Sequence, residues 1–132
     1  MNQIPSVTEE LVPKEASGNE ISLQGIFERG NTFHKKGELD QAETVFREIL
    51  KIAPDHPGAL HFLGVIARQC GKLESAIKLI KKAVEVSPNY HTAYNNLGQT
   101  YQDMGDTDKA KEAFNRAIDE NPKYALAHFN LA

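Results

Sequence analysis

The residue types that most often bind metals or act as nucleophiles are few in this sequence and lie far apart along it. They are five histidines and a single cysteine, namely His34, His56, His61, His91, His128 and Cys70. None of the histidines shows the spacing that gathers metal ligands on one helix face, and the cysteine has no CxxC partner. We therefore predict no metal site and no bound cofactor.

No residue pattern typical of catalysis stands out either. No motif marks Cys70 as a nucleophile, so we expect a buried or half-buried thiol at a helix end. The carboxylates follow no pairing beyond that of surface helices, and no glycine-rich phosphate loop occurs. We interpret the tyrosines as packing residues rather than as a stacking platform: Tyr90, Tyr94, Tyr101 and Tyr124. The sequence therefore predicts a protein that is not an enzyme.

The charge distribution argues against nucleic acid as a partner. The 132 residues carry a net charge of −3 and have the balance of one ordinary domain. Residues 1–22 hold one lysine against four glutamates, whereas residues 23–132 hold 14 basic and 14 acidic side chains. A neutral body lacks the concentrated positive field that phosphate binding needs.

The sequence also predicts a cytoplasmic protein with no membrane contact. Its first 18 residues are acidic and contain two prolines, where a signal peptide would be basic and then apolar. No apolar run approaches the roughly 20 residues that cross a bilayer. A lone cysteine excludes the internal disulfides of small secreted domains and favours a reducing compartment.

A fixed period of 34 residues decides the architecture. Four columns of residues recur at this spacing, and they are Pro54, Pro88 and Pro122; Gly30, Gly64 and Gly98; Gly37, Gly71 and Gly105; and Ala42, Ala76 and Ala110. Such self-similarity is the signature of a repeat array, in which each unit buries its apolar face against its neighbours.

Each unit divides into two helical stretches, which the third unit shows best. Its first stretch carries one apolar stripe: Tyr94, Leu97, Gly98 and Tyr101. We expect Gly105 to end this helix in the left-handed conformation, and Asp106 or Thr107 to cap the next. The second stretch places Ala110, Phe114, Ala117 and Ile118 on one face, and Pro122 closes it.

The small residues of two columns have a steric explanation. Glycine on the first helix and alanine on the second let the two backbones approach closely. Three larger side chains, one in each unit, are expected to fill the space beside them: Phe46, Ile80 and Phe114.

With these columns in order, the unit resembles the tetratricopeptide repeat. The third unit carries nearly every signature residue: Leu97, Gly98, Tyr101, Gly105, Ala110, Phe114, Ala117 and Pro122. The resemblance implies an all-α fold, a right-handed superhelical solenoid of antiparallel helix pairs. We expect a flexible acidic tail over residues 1–18 and a repeat domain over 19–132. Its repeats span about 23–56, 57–90 and 91–124, with a partial fourth over 125–132.

The two ends of this domain carry separate expectations. At the start, Asn19 or Ser22 is expected to cap the first helix. At the end, the last residues repeat only the start of a first helix, which favours a fragment of a longer array. The apolar face that awaits the missing helix predicts self-association through this C-terminal edge.

In arrays of this family the first helices line a concave groove, and the resemblance assigns positions to it here. The groove residues predicted to bind a peptide are Asn31, Lys35, His61, Phe62, Arg68, Asn95, Asn96, Gln99 and Asn130. Amides suit an extended polypeptide, because each presents both a donor and an acceptor to the partner's backbone. We interpret the histidines as groove or loop residues.

Two patterns within the groove narrow the choice of ligand. Asn96 and Asn130 lie 34 apart and resemble the asparagine ladder in repeats of O-linked N-acetylglucosamine transferases, which holds a polypeptide backbone. The alternative is that both are solvated helix residues. Other three-repeat modules grip a terminal carboxylate, but only Asn31 fits that pattern, so we do not expect such a clamp.

The leading hypothesis is a module that binds an extended peptide or a partner helix, chiefly through Asn95, Asn96, Gln99 and Asn130. Two alternatives stay open. The chain could be the substrate-recruiting or regulatory front of a larger enzyme such as a glycosyltransferase, or a self-assembling scaffold.

Overall fold

The computed structural model describes residues 22–123 and 129–130, and within them the helices are α-helices separated by short turns, with no strand. The predicted flexible tail, residues 1–18, lies outside the described residues. Between residues 22 and 123 six helices follow one another, and they are α1 Leu23–Lys35, α2 Leu39–Ile52, α3 Pro57–Gln69, α4 Leu73–Val86, α5 His91–Met104 and α6 Thr107–Glu120. The expected all-α solenoid of helix pairs is therefore confirmed.

The turn within each pair depends on one glycine. Gly37, Gly71 and Gly105 have φ of 80°, 80° and 85°, the left-handed region that side chains with a Cβ rarely adopt. Gly105 ends α5 as predicted. Asp106 caps α6, because its carboxylate accepts a hydrogen bond from the Lys109 N–H at 3.1 Å.

The first helix begins at the second of its two expected caps. The Ser22 hydroxyl accepts a hydrogen bond from the Gly25 N–H at 3.2 Å. The other expected cap, Asn19, lies outside the described residues.

A proline also opens α3, where a missing N–H costs nothing because the first turn has no partner for it.

Each helix pair is closed by a large side chain pressed against a glycine. A Cβ built on Gly98 would lie 2.5 Å from the Phe114 ring, and one on Gly64 would lie 2.4 Å from Ile80. The first pair repeats the arrangement, with Gly30 against Phe46. These contacts confirm the steric role predicted for the glycine column.

Successive pairs are joined by an aromatic cluster in the first half of the array. Phe62 of α3 stacks on Phe46 of α2 with ring centroids 5.6 Å apart, and it meets Phe27 of α1 edge-on at 5.7 Å. A Cβ on Gly58 would lie 2.6 Å from the Phe27 ring, so this glycine admits Phe27 between the pairs. Its role escaped the sequence analysis because Gly58 belongs to no recurring column.

The start of the fourth repeat is described at two residues only. Phe129 and Asn130 are helical, and Phe129 is 78% exposed. The other residues of this partial repeat lie outside the described part of the chain. Self-association through this edge stays a prediction.

Replacing Gly98 with alanine should lower the free energy of unfolding by about 1 to 2 kcal/mol. The gain in helix propensity is about 1 kcal/mol, whereas forcing a methyl group to within 2.5 Å of the buried Phe114 ring costs about 2 to 3 kcal/mol, the upper end of the usual range. Urea denaturation measures the difference.

The matched control is Gly25→Ala, since the nearest atom to a Cβ there is 4.0 Å away, an ordinary contact. This variant should be as stable as the parent or more so. Equal stability of the Gly98→Ala variant and the parent would contradict the steric role of the glycine column.

Candidate functional site

The first helices of the three repeats lie side by side, and their polar side chains bond to one another. Four hydrogen-bonded pairs join residues 35 apart in sequence, and these are His34 with Gln69, His61 with Asn96, Arg68 with Asp103, and Asn95 with Asn130. We call this face of α1, α3 and α5 the inner face. Most of the predicted groove residues lie on it and contact one another.

His61 lies at the centre of the inner face and is 3% exposed. Its Nε2 accepts a hydrogen bond from the Asn96 amide at 2.7 Å, and its Nδ1 lies 2.9 Å from the Tyr90 hydroxyl. Burial, and secondarily the charge of His34, lowers the pKa of His61 to about 4. Burial raises the pKa of Tyr90 to about 12. Both groups are therefore neutral at pH 7, and the uncharged hydrogen bond between His61 and Asn96 joins the second repeat to the third.

Two amides join the third repeat to the start of the fourth. The Asn130 amide donates to the Asn95 side-chain oxygen at 3.0 Å, and Asn95 is 1% exposed. Gln102 also donates to the Asn130 carbonyl, at 3.4 Å. Asn95, predicted as a peptide contact, is thus buried beneath the inner face and accepts a hydrogen bond from Asn130.

Arg68 is the centre of the charged part of the inner face. Its Nε donates to an Asp103 carboxylate oxygen at 2.7 Å, and its Nη1 donates to the Gln99 side-chain oxygen at 3.1 Å. Arg68 and Gln99, both predicted as groove residues, are therefore brought together by the fold. Lys35 is separate, exposed at the last residue of α1.

Phe62 is half-buried, and its ring forms the apolar part of the inner face. It contacts the ring of His61 at 4.8 Å between centroids and that of His34 at 5.7 Å. Together with its contacts to Phe27 and Phe46, this makes Phe62 a wedge between the first two repeats. Most of the Phe62 ring is packed against other residues, so only its remaining edge is available to a ligand.

Asn31 differs from the other amides of the inner face. Its side-chain oxygen Oδ1 is buried and forms no hydrogen bond with the described residues. An unpaired buried acceptor costs about 1 to 3 kcal/mol, so this oxygen would gain from a donor brought by a ligand.

The 35-residue register was the main feature that the sequence analysis missed. The groove positions were assigned from the family resemblance, whose 34-residue period aligns equivalent positions and not contacting ones. The sequence does contain a signal for these contacts. His61 and Asn96 can form a hydrogen bond and Arg68 and Asp103 an ion pair, and the two members of each pair are separated by one period plus one residue.

Other chemistry is limited on the described residues. They include no group of three or more side chains that could hold a metal ion, and none of their helices is long and apolar enough to cross a membrane. Cys70 lies at a helix end as predicted, since it caps α3, but it is exposed. The expectation of a buried or half-buried thiol was therefore wrong, because Cys70 lies beyond the last residue of α3 and is exposed there.

Comparison with protein families fits this geometry. Two family models, both described as the tetratricopeptide repeat, match residues 23–56 and 58–119. This chain belongs to the tetratricopeptide repeat family. Among curated proteins, none matches its sequence.

Solved structures of tetratricopeptide repeat proteins share its fold. A mutant of the O-GlcNAc transferase of Thermobaculum terrenum is 27% identical with a TM-score of 0.80, and the match covers 83% of this chain and 21% of that one. The chain thus spans about a fifth of the transferase. The first repeat domain of Spaghetti, solved with the HSP90 peptide SRMEEVD, is 21% identical over 83% of this chain and 86% of its own, with a TM-score of 0.77.

A third relative in structure is YrrB, described as a repeat protein with an unusual peptide-binding site. It is 23% identical with a TM-score of 0.73, and the match covers 86% of this chain and 58% of YrrB. At this level of identity, the similarities to Spaghetti and YrrB establish the fold alone.

The stability of the protein should fall as the pH falls from about 6.5 to about 4. His61 has its ordinary pKa of 6.5 when unfolded and about 4 when folded, so the unfolded state binds more protons in this window. The stabilising effect is complete above pH 6.5, and protonation removes about 3 kcal/mol of it by pH 4.

Urea denaturation at several pH values measures this loss, and a His61→Gln variant isolates it. Glutamine does not titrate but keeps an amide that can bond Asn96, so the variant should lose less stability over the same window. The carboxylates contribute equally to both proteins. Parallel curves for the parent and the variant would contradict a buried, neutral His61.

Proposed function

We propose that the chain binds an extended polypeptide along its inner face, across α1, α3 and α5. Family membership supports a protein or peptide as the partner. The complex of Spaghetti with a peptide and the peptide-binding site of YrrB support the same class of ligand, although each belongs to its own protein. A cytoplasmic location is part of the proposal, since the single cysteine favours a reducing compartment.

The observation that carries this proposal is the unpaired oxygen of Asn31. The other amides named above are already bonded to neighbouring repeats, whereas Asn31 Oδ1 lacks a donor among the described residues. A polypeptide backbone offers an N–H at nearly every residue. Rotation of the Asn31 amide toward such a donor would exchange an unpaired acceptor for a hydrogen bond.

A row of equivalent positions gives the proposed ligand its direction and length. Asn31, Val65 and Gln99 lie one period apart on α1, α3 and α5, and all three are half-buried. Two helix spacings amount to about 20 Å, which is about six residues of extended chain. The row alternates an amide, an apolar side chain and an amide, so it suits a backbone contact at each end and an apolar side chain between.

The remaining predicted residues take distinct parts in this proposal. Asn96 is held by its hydrogen bond to His61, and Asn130 by its hydrogen bond to Asn95. The donors and acceptors that these bonds leave free on Asn96 and Asn130 are the ones offered to the ligand. Lys35 is the exposed positive charge at one margin. Because Asp103 neutralises Arg68, the face carries little net charge and favours a ligand recognised chiefly through its backbone.

A second candidate has one observation in its favour. The 27% identity with the Thermobaculum transferase covers 83% of this chain. The spacing of Asn96 and Asn130 also resembles the asparagine ladder of such enzymes. On this reading the inner face recruits substrates for a transferase domain encoded farther along the same gene. Sequencing the reading frame beyond codon 132 decides it, because a frame without a transferase domain removes this candidate and leaves the first intact.

Replacing Asn31 with alanine should weaken peptide binding about fivefold, the equivalent of one neutral hydrogen bond of about 1 kcal/mol. The unfolding free energy should not fall, because Asn31 Oδ1 forms no bond in the free protein. Twelve-residue peptides selected on the parent by phage display serve as probes, and fluorescence anisotropy gives their dissociation constants.

Asn115→Ala is the matched control, since Asn115 is an exposed amide on α6, away from the inner face. It should leave the affinity unchanged. Asn96 is unsuited to this test because its loss would leave His61 Nε2 unpaired and change stability as well. Equal affinities of the parent and the Asn31→Ala variant would count against the inner face as the binding site.

A further inference from the structure

Two amide side chains of α5 lie about one helical turn apart on the inner face, and each is held by a side chain of α3. The Gln99 oxygen Oε1 accepts a hydrogen bond from Arg68 Nη1 at 3.1 Å. The Asn96 nitrogen Nδ2 donates a hydrogen bond to His61 Nε2 at 2.7 Å. The two amides are therefore turned in opposite senses, since Gln99 directs its oxygen toward α3 and Asn96 directs its nitrogen there.

The orientation of Gln99 is imposed by Arg68. A guanidinium group carries N–H donors and no acceptor, so only the oxygen of the Gln99 amide can bond to it. Arg68 is itself held by its ion pair with Asp103, at 2.7 Å. The Gln99 nitrogen Nε2, with its two N–H groups, is consequently turned away from Arg68.

The orientation of Asn96 is imposed by His61. A neutral imidazole has one N–H and one bare nitrogen. Because Nε2 accepts from Asn96, the ring hydrogen lies on Nδ1, which donates to the Tyr90 hydroxyl oxygen at 2.9 Å. His61 is 3% exposed, so its ring is enclosed in this arrangement. The Asn96 oxygen Oδ1 is consequently turned away from His61.

The groups that these bonds leave over are accessible to solvent. Within the described part of the chain, Asn31 Oδ1 is the only buried side-chain nitrogen or oxygen without a hydrogen bond. Asn96 Oδ1 and Gln99 Nε2 also form no hydrogen bond with the described residues, and both residues are half-buried. Since neither atom is buried, the inner face displays one acceptor and, about a turn away, one pair of donors.

We propose that the polarity of the inner face is fixed at these two amides. Asn96 accepts a hydrogen bond from a backbone N–H of the bound polypeptide, and Gln99 donates one to a backbone C=O. This proposal rests on the proposed function and specifies its ligand. Side chains three apart on a helix are separated by about 5 to 6 Å, and an extended chain advances about 3.3 Å per residue. Two successive ligand residues therefore reach both amides.

Fixed polarity defines the class of ligand. A proline over Asn96 would bring no N–H, and the ligand would cover the Asn96 oxygen without bonding it. A proline-rich segment in the polyproline II conformation lacks a donor at each proline. The ligand is therefore an extended segment with an ordinary residue, and not proline, at the position that meets Asn96.

A matched pair of substitutions tests the polarity. Asn96→Asp and Gln99→Glu each replace an amide nitrogen by oxygen and each add one negative charge. Asn96→Asp still offers an oxygen to the ligand N–H, so the affinity should not fall. Gln99→Glu keeps an oxygen on Arg68 but turns its other oxygen toward the ligand C=O. Its affinity should be lower than that of Asn96→Asp by at least about fivefold, the equivalent of one neutral hydrogen bond.

The affinities are measured by fluorescence anisotropy, with twelve-residue peptides selected on the parent by phage display as probes. Because the two variants carry the same added charge, the ratio of their dissociation constants cancels the general effect of charge on binding. Circular dichroism checks that both variants keep their helices.

Nuclear magnetic resonance of the free 132-residue chain tests the role of His61 without any ligand. Spectra of nitrogen-15 histidine distinguish a ring nitrogen that carries hydrogen from a bare one, and the His61 signals are those that a His61→Gln variant lacks. At pH 7, Nε2 should be bare and Nδ1 should carry the hydrogen. In Asn96→Asp, Nε2 should gain a hydrogen, because a carboxylate only accepts. The Tyr90 hydroxyl tolerates either state, since it can donate or accept.

Three results would overturn the proposal. The first is a hydrogen on His61 Nε2 in the parent, because Asn96 would then display its nitrogen. The second is equal affinities of the two carboxylate variants, because polarity would then have no effect. The third is a loss of affinity in Asn96→Asp alone, which is the opposite polarity. Each of these leaves peptide binding itself intact, whereas a parent that binds no peptide would overturn the proposed function together with this one.

Discussion

In each helix pair, a glycine of the first helix contacts an aromatic ring or a branched side chain of the second. The rest of the structure depends on this contact. Gly98 against Phe114 brings the backbones of two helices closer than any residue with a Cβ allows, and Gly64 and Gly30 repeat the arrangement. Because Phe46, Ile80 and Phe114 are almost completely buried, each pair has one angle and one register at which its core is filled. The neighbouring pair then stacks on a surface whose shape is already set.

This fixed geometry gives the inner face its hydrogen bonds. First helices one repeat apart lie at a constant offset, so a side chain on one meets the side chain 35 residues later. The bonds hold these side chains in fixed positions, so the polypeptide binding that we propose would cost less side-chain entropy. Burial keeps His61 uncharged, and the Asn96 amide carries no charge, so repeats are joined without the cost of an enclosed ion pair.

The fold was predictable from the sequence because its causes are local and repeated. The left-handed turn at Gly105 and the cap at Asp106 follow from residue types alone. The recurring glycine of the first helix likewise predicts a close contact between the two helices of each pair. The candidate site was less predictable. Asn95 and Asn96 are adjacent and chemically identical, yet one is buried under Asn130 and the other faces His61. That difference depends on the offset between helices, which no residue type encodes. Cys70 is a similar case, since its exposure follows from where α3 ends.

The paired side chains of the inner face also limit how this surface can evolve. A mutation at His61 leaves Asn96 without its acceptor, and one at Arg68 leaves Asp103 without its counter-charge, so neither repeat can drift alone. A change in one member of a pair therefore favours a compensating substitution in the adjacent repeat. Among descendants of this protein, residues 35 apart on the first helices should covary, whereas the solvated positions of the second helices accumulate changes independently.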